Sequence, residues 1–312
     1  MMKERLPDFL IVGAMKSGTT SLYNDLIVQP NVYFPNRKEP HDLLYPSVLE
    51  SRGRAKYSRL FQRCPEGSIC GEASTQYTAL PVSDGTAERA RQLLGSKTRI
   101  IYVVRNPVDR TISHFLHGYA KGEFDVPIED AFRKEPRLIT ISQYAKQIEP
   151  WAASFGWENI RVLIFEDYVK DRSEYIKDLA SFLGFKAATE LLETDKAFNK
   201  GEGNRLWPSS LDRVRNSGVA RRLLDPFMTP RLRDFARNLL APKPRPRPGH
   251  PSACVIDYII NCVEDDIDRF AVMLNSSTGI WDWEVTRKKY AKMRSSLPSG
   301  AVSTDSSTGV TG

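Results

Sequence analysis

The stretch FLIVGAMKSGTTSLYNDL, Phe9 to Leu26, constrains the fold more than any other part of the chain. An apolar run ends on Gly13, Gly18 follows five residues later, and a helical pattern begins at once. This reads as a doubly buried strand, Phe9 to Gly13, that turns through a loop into a helix over Thr20 to Val28. Glycines let such a loop curl until successive N–H groups face one anion, and the helix adds its positive end. Ser17, Gly18, Thr19 and Thr20 then supply the rest of the cradle. The glycine spacing is that of a nucleoside-triphosphate loop, G-x-x-x-x-G-K-S/T, but Thr19 stands where that loop has its lysine, and the lysine is Lys16, inside the turn. The pattern serves one phosphate rather than a magnesium-bound triphosphate and asks for no metal. A lysine at this position would sit beside a bridging oxygen, where charge gathers as a bond breaks. A tight glycine turn without a ligand is the alternative.

Strand followed by helix recurs along the chain. Arg99 to Arg105 leads into Pro107 to Tyr119, and Arg161 to Phe165 into Ser173 to Leu183; shorter strands are expected at Val32 to Phe34 and Ser68 to Gly71, and helices at Thr86 to Leu94 and Ile139 to Phe155. The implied fold class is α/β: a P-loop-type three-layer fold with a central parallel sheet flanked by helices and a helical C-terminal extension. Beyond Gly184 the pattern changes to helices and loops. The proline-alternating stretch Pro242 to Pro251 reads as an extended connector and Ala253 to Leu274 as a last helix. With 312 residues and 41% hydrophobic content, one domain over 1–297 is expected, with a nucleotide-binding core at 7–205, a helical part at 206–297 and a disordered tail at 298–312.

The strand end at Arg105 carries a second unusual group, because ligands of open α/β sheets gather at the carboxyl edge. Pro107 opens the next helix, and Ser113 lies two turns along it, within range of the same anion. An ion pair of Arg105 with Asp109 or Glu72 is the alternative. A third anion-binding candidate is the glycine-rich basic loop FNKGEGNRLW, which contains Lys200, Gly201 and Arg205.

Charge is uneven. The formal net charge is +7, yet Arg205 to Arg247 alone holds eleven Lys or Arg against three Asp. This segment could guide an anionic glycan, cover a nucleotide, contact an acidic membrane surface, or be a solvated face. Nucleic acid is not indicated, since no binding module accompanies the charge. No apolar run is long enough to cross a membrane, and a strand from Phe9 leaves no room for a signal peptide, so a soluble, cytoplasmic protein is expected. Cys64, Cys70, Cys254 and Cys262 lack zinc-ligand spacing and are expected as reduced thiols.

KSGTTSL near the amino terminus, paired with VVRNPVDRTISHF later, resembles the sulfotransferases that use 3′-phosphoadenosine 5′-phosphosulfate (PAPS), above all their bacterial and heparan-sulfate-type branch. KEPHDL, GEASTQYT and FEDYVKDRSEYIKDLASFLGF extend the similarity over about Pro7 to Arg205. The resemblance implies PAPS as cosubstrate, adenosine 3′,5′-bisphosphate as product, and no metal. It implies that Lys16 to Thr20 hold the 5′-phosphosulfate, that Arg105 and Ser113 hold the 3′-phosphate, and that the loop from Lys200 to Arg205 closes over the nucleotide. It also implies Glu39 as the base toward an acceptor hydroxyl or amine, with His41 in support. Asp42 and Leu43 replace the aromatics that relatives carry after the histidine, so the acceptor pocket departs from the pattern. Glu72 and Tyr77 are expected on the acceptor side, with internal pairing of Glu72 as the alternative. The acceptor classes are a carbohydrate, a glycolipid or a secondary metabolite. A P-loop small-molecule kinase and a nonenzymatic adenosine-bisphosphate-binding protein are the competing functions.

Overall fold

The computed structural model describes residues 4–193 and 248–295. Five parallel strands form one sheet: β1 (Phe9–Gly13), β2 (Val32–Tyr33), β3 (Ile69–Ala73), β4 (Arg99–Val104) and β5 (Ile160–Ile164), in the order β2-β3-β1-β4-β5. β1 takes the centre because every one of its residues is buried, which a polar or alternating strand could not tolerate.

Side chains alternate between two cores, as the period of two requires. Leu10, Val12, Ile100, Tyr102 and Val104 face one layer, while Phe9, Ile11, Ile101 and Val103 face the other. On the second face lie α1 (Thr19–Ile27) and, further along the chain, α8 (Phe165–Tyr168) and α9 (Arg172–Leu183). The first face is covered by α2 (Ser51–Ser58), α3 (Thr86–Leu94), α4 (Pro107–Lys121), α5 (Ile128–Lys134), α6 (Arg137–Thr140), α7 (Tyr144–Phe155) and α10 (Ala253–Met273), with α11 (Trp283–Ser295) against α10. The three-layer expectation therefore matches the observed architecture.

The local differences have physical reasons. The single helix expected over Ile139 to Phe155 is two, α6 and α7, separated by a turn at 141–143 in which Ser142 is buried and receives Arg110. Pro150, by contrast, sits inside α7 without ending it. Phe165, expected as a strand end, is the first residue of α8. Much of the proline-rich connector, the basic segment and the tail fall outside the described residues. All four cysteines are free thiols, and no helix among the described residues is long and apolar enough to cross a membrane.

Candidate active site

The loop between β1 and α1 is pinned where it leaves the sheet. The Ala14 amide donates to the Val103 carbonyl at 2.6 Å, and the Ser17 amide to the Ala14 carbonyl at 3.1 Å. Gly18 adopts φ 88°, and a Cβ there would stand 2.3 Å from the Phe165 ring, so only glycine allows α8 to close on the turn. The helix starts at Thr19, one residue earlier than the sequence pattern suggests. Ser17 is fully buried, and its Oγ has no hydrogen-bond partner among the described residues. Such a donor inside a loop of this shape is placed to meet a ligand oxygen.

Two arginines, Arg105 in the turn between β4 and α4 and Arg110 in the first turns of α4, grip successive carbonyls of this loop. Arg105 Nη1 donates to the Lys16 carbonyl at 3.5 Å, and Arg110 Nη1 to the Met15 carbonyl at 3.4 Å. Arg105 lies over the Phe165 ring at 5.2 Å, and its Nε is buried without a hydrogen-bond partner among the described residues. Neither carboxylate considered for it is available. Asp109 is held by Lys289 and Tyr290, and Glu72 by Tyr57 and Ser74. The ion-pair alternative for Arg105 therefore does not hold. Ser113 sits on α4, half-buried, and no contact among the described residues joins it to Arg105.

The cradle is rich in cations and poor in counter-charge. Burial, reinforced by Arg105, Lys121 and Arg110, holds the Lys16 ammonium down to about 8. Arg110 is 0% exposed, is met by Ser142, Leu138, Thr111 and His114 but by no carboxylate, and is pushed down to about 10 by burial. Lys38 Nζ donates to Thr20 Oγ1 at 2.8 Å, at the foot of α1, and burial lowers its pKa too. None of Lys16, Lys38, Arg105 and Arg110 has a carboxylate ion pair among the described residues, although buried charges are ordinarily paired. The orphaned Ser17 Oγ, the orphaned Arg105 Nε and these unpaired cations fit a phosphate-bearing anion.

Glu39 and His41 follow β2, just after the Lys38 that reaches the foot of α1. Thr75 Oγ1 donates to Glu39 Oε1 at 3.2 Å, and His41 Nε2 lies 3.6 Å from Glu39 Oε2. Burial pushes the Glu39 carboxyl up, but the bonds and charges of His41, Lys38 and Thr75 outweigh it and leave the pKa below the ordinary value. Glu39 is thus ionised at neutral pH and able to accept a proton. His117, on α4, lies within electrostatic reach of both sides. Burial holds it down to about 3, with Lys16 and Lys121 adding repulsion and Glu39 opposing them.

Backbone strain marks the same residues. Among the described residues, left-handed φ at a non-glycine occurs at Lys16 (71°), Glu39 (54°), His41 (61°) and Asn275 (56°). Each such conformation costs on the order of 1 kcal/mol or more and persists only where the surroundings enforce it. Glu39 is the more unusual because it precedes Pro40, which favours an extended predecessor. Three of the four strained positions are those singled out for chemistry in the sequence.

The acceptor-side expectation for Glu72 and Tyr77 meets a different finding. Glu72 is 0% exposed, and its carboxylate accepts from Tyr57 and from Ser74 Oγ at 2.8 Å. The Tyr77 hydroxyl accepts from the Leu43 amide at 3.3 Å, and the Tyr77 carbonyl accepts from Trp151. Burial raises the Glu72 pKa. The internal-pairing alternative describes these two residues, which brace the loop from His41 to Leu43 from beneath. Lys200, Gly201 and Arg205 lie outside the described residues.

A family model described as "Sulfotransferase domain" matches residues 6–206. The chain belongs to the sulfotransferase family. It is 30% identical over 209 residues to the heparan sulfate glucosamine 3-O-sulfotransferase 3A1 of Mus musculus, a match that covers 62% of this chain and 49% of that protein. The match to the mouse 3-O-sulfotransferase 6 is also 30% over 212 residues, covering 63% and 56%. The chain thus matches about half the length of these curated relatives. A crystal structure of a sulfotransferase from Alicyclobacillus acidocaldarius shares the fold, with a TM-score of 0.59 at 23% identity over 90% of this chain and 99% of that one.

Sequence reasoning missed several residues of this sulfotransferase site. Lys38 was visible as the cation directly before Glu39, and His117 as the residue four beyond Ser113, on the same helical face. Arg110 and Phe165 carried no local signal, since their importance lies in packing against a loop about a hundred residues or more away in the sequence.

Proposed function

We propose that this sulfotransferase-family chain moves the sulfuryl group of PAPS to a hydroxyl or amine of a carbohydrate, glycolipid or secondary-metabolite acceptor. The observation that carries the reading is the junction of Lys16 and Arg105: two cations with no carboxylate partner among the described residues meet on one loop, where the 5′ and 3′ anionic groups of one nucleotide can be held together. Lys16, Ser17, Gly18, Thr19 and Thr20 hold the 5′-phosphosulfate, and Arg105 with Ser113 the 3′-phosphate. Lys200, Gly201 and Arg205 belong to the same site on sequence grounds. PAPS, when bound, supplies a sulfuryl group on a phosphate leaving group.

The bond from sulfur to the bridging oxygen breaks as the bond from sulfur to the acceptor atom forms. The electron pair stays with the 5′-phosphate, where Lys16 meets the growing charge, and the acceptor's proton passes to Glu39. Thr75 holds the Glu39 carboxylate by a hydrogen bond, and His41 Nε2 lies beside it at 3.6 Å. An acceptor of carbohydrate type is supported by the relatives named for heparan sulfate glucosamine. The cytoplasmic location and contact of the basic segment with an acidic membrane surface are parts of the reading that rest on sequence alone.

A thermal-shift titration with adenosine 3′,5′-bisphosphate, beside ADP and magnesium ATP, tests it. A ligand at 100 times its Kd stabilises a fold by about 2.7 kcal/mol. The bisphosphate is expected to raise the melting temperature in the absence of metal. A shift with magnesium ATP and none with the bisphosphate would replace this reading with a small-molecule kinase.

A further inference from the structure

Three main-chain groups at Arg105 and Asn106 are held by two side chains, and both holders touch one residue far along the chain. The Tyr144 hydroxyl donates to the Arg105 carbonyl at 2.6 Å and accepts from the Arg105 amide at 3.3 Å. The next amide, of Asn106, donates to Glu166 Oε1 at 2.8 Å. Trp281 meets both: its indole N–H donates to Glu166 Oε2 at 3.3 Å, and its ring lies 5.8 Å from that of Tyr144.

The start of α11 completes the brace. Asn106 caps α4, its Oδ1 accepting from the Val108 and Asp109 amides at 3.1 and 3.2 Å, and its Nδ2 donates to Thr286 Oγ1 at 2.9 Å. Thr286 Oγ1 in turn donates to the Asp282 carbonyl at 3.0 Å, which fixes the direction of its proton. Tyr290 and Lys289 add the contacts to Asp109 one turn further. Trp281 and Thr286 lie outside residues 6–206, the part of the chain that the family model matches.

We infer that Trp281 and Thr286 are positioning residues for the 3′-phosphate: through Glu166, Tyr144 and Asn106 they set the peptide from which Arg105 reaches its anion. Among the described residues the guanidinium has one weak hydrogen bond, at 3.5 Å to the Lys16 carbonyl, beside its contact with the Phe165 ring, so its aim depends on how firmly its own backbone is held. This rests on the assignment of Arg105 to the 3′-phosphate made above.

The test compares two nucleotides by calorimetry, adenosine 3′,5′-bisphosphate and adenosine 5′-phosphosulfate, which lacks the 3′-phosphate. Trp281→Phe keeps the ring beside Tyr144 and removes the N–H to Glu166; Thr286→Val removes the hydroxyl from Asn106 at almost constant volume. Each is expected to weaken the bisphosphate by about 5- to 10-fold, the range of one lost hydrogen bond, while changing the phosphosulfate less than about 2-fold. Thr286→Ser should restore the wild-type ratio. Arg105→Ala serves as the reference and should show the same discrimination more strongly. If Arg105→Ala affects both nucleotides alike, the 3′-phosphate assignment is wrong. If Arg105→Ala discriminates but the two variants bind both nucleotides like wild type, or lose both equally, the positioning role is wrong. Should Trp281→Phe fail to fold, Thr286→Val reads the other arm of the same brace.

Discussion

At the scale of single residues, Glu39 combines three properties that a surface carboxylate does not have together. It is held by Thr75, it lies against His41, and its backbone is strained at φ 54°. Its lowered pKa means that it is ionised before any acceptor arrives, the form that the proposed base requires. Replacing it with glutamine keeps the shape and the bond to Thr75 but removes the basic oxygen. Glu39→Gln is expected to reduce kcat by on the order of 10²-fold or more while leaving the Kd of adenosine 3′,5′-bisphosphate within about 2-fold, since the loss is confined to the proton transfer. Turnover near wild type would remove the base from Glu39. The places of Lys16 and Arg105 were legible in the sequence because each lies within a few residues of a glycine, proline or strand end, whereas Glu39 was singled out by the family resemblance and not by its local pattern. Glu72 misled because it also follows a strand, and burial to 0% depends on Tyr57 arriving from α2, which no local pattern announces.

Among the elements, the loop, α4 and α8 act together. The β4–α4 turn supplies Arg105 and α4 supplies Arg110 to the loop carbonyls, and α8 supplies the ring of Phe165, which lies under Arg105 and against Gly18. The strands and the long helices could be read from periodicity. The four-residue α8 could not, because its Phe165 continues the apolar run of β5, and α11 could not, because it is strongly polar and is held by specific bonds to Asn106 and Asp109. A methyl group at Gly18 must both adopt φ 88° and displace the Phe165 ring, which would move the surface on which Arg105 rests. Gly18→Ala is accordingly expected to weaken nucleotide binding by at least 10-fold, from a strain of roughly 1–2 kcal/mol at the turn together with the loss of the Arg105 platform. An unchanged Kd, measured by calorimetry, would show that the loop and α8 are not coupled.

For the molecule as a whole, the unpaired cations imply a conflict between stability and function that depends on pH. Lys16 has a folded-state pKa of about 8, below its ordinary value of 10.5. Between those values the unfolded chain binds more protons than the folded one, so without ligand the contribution of Lys16 becomes less unfavourable as pH rises from about 8 toward 10.5. Below about pH 8 the penalty is present in full. Lys16→Met removes the charge and keeps the stem, and the ligand-free variant should be the more stable protein at pH 7. After allowance for solvent around a partly exposed ammonium, the gain is about 1 kcal/mol, or about 2–4 °C in melting temperature for a chain of this size. The difference between variant and wild type should shrink as the pH approaches 10.5 and vanish beyond it. With adenosine 3′,5′-bisphosphate at saturation the order should reverse at pH 7, because the anion supplies the counter-charge that the fold withholds from Lys16. Melting curves that coincide at every pH without ligand would mean that the ammonium is relaxed in the free protein, and the cradle would then owe its affinity to hydrogen bonds rather than to stored charge.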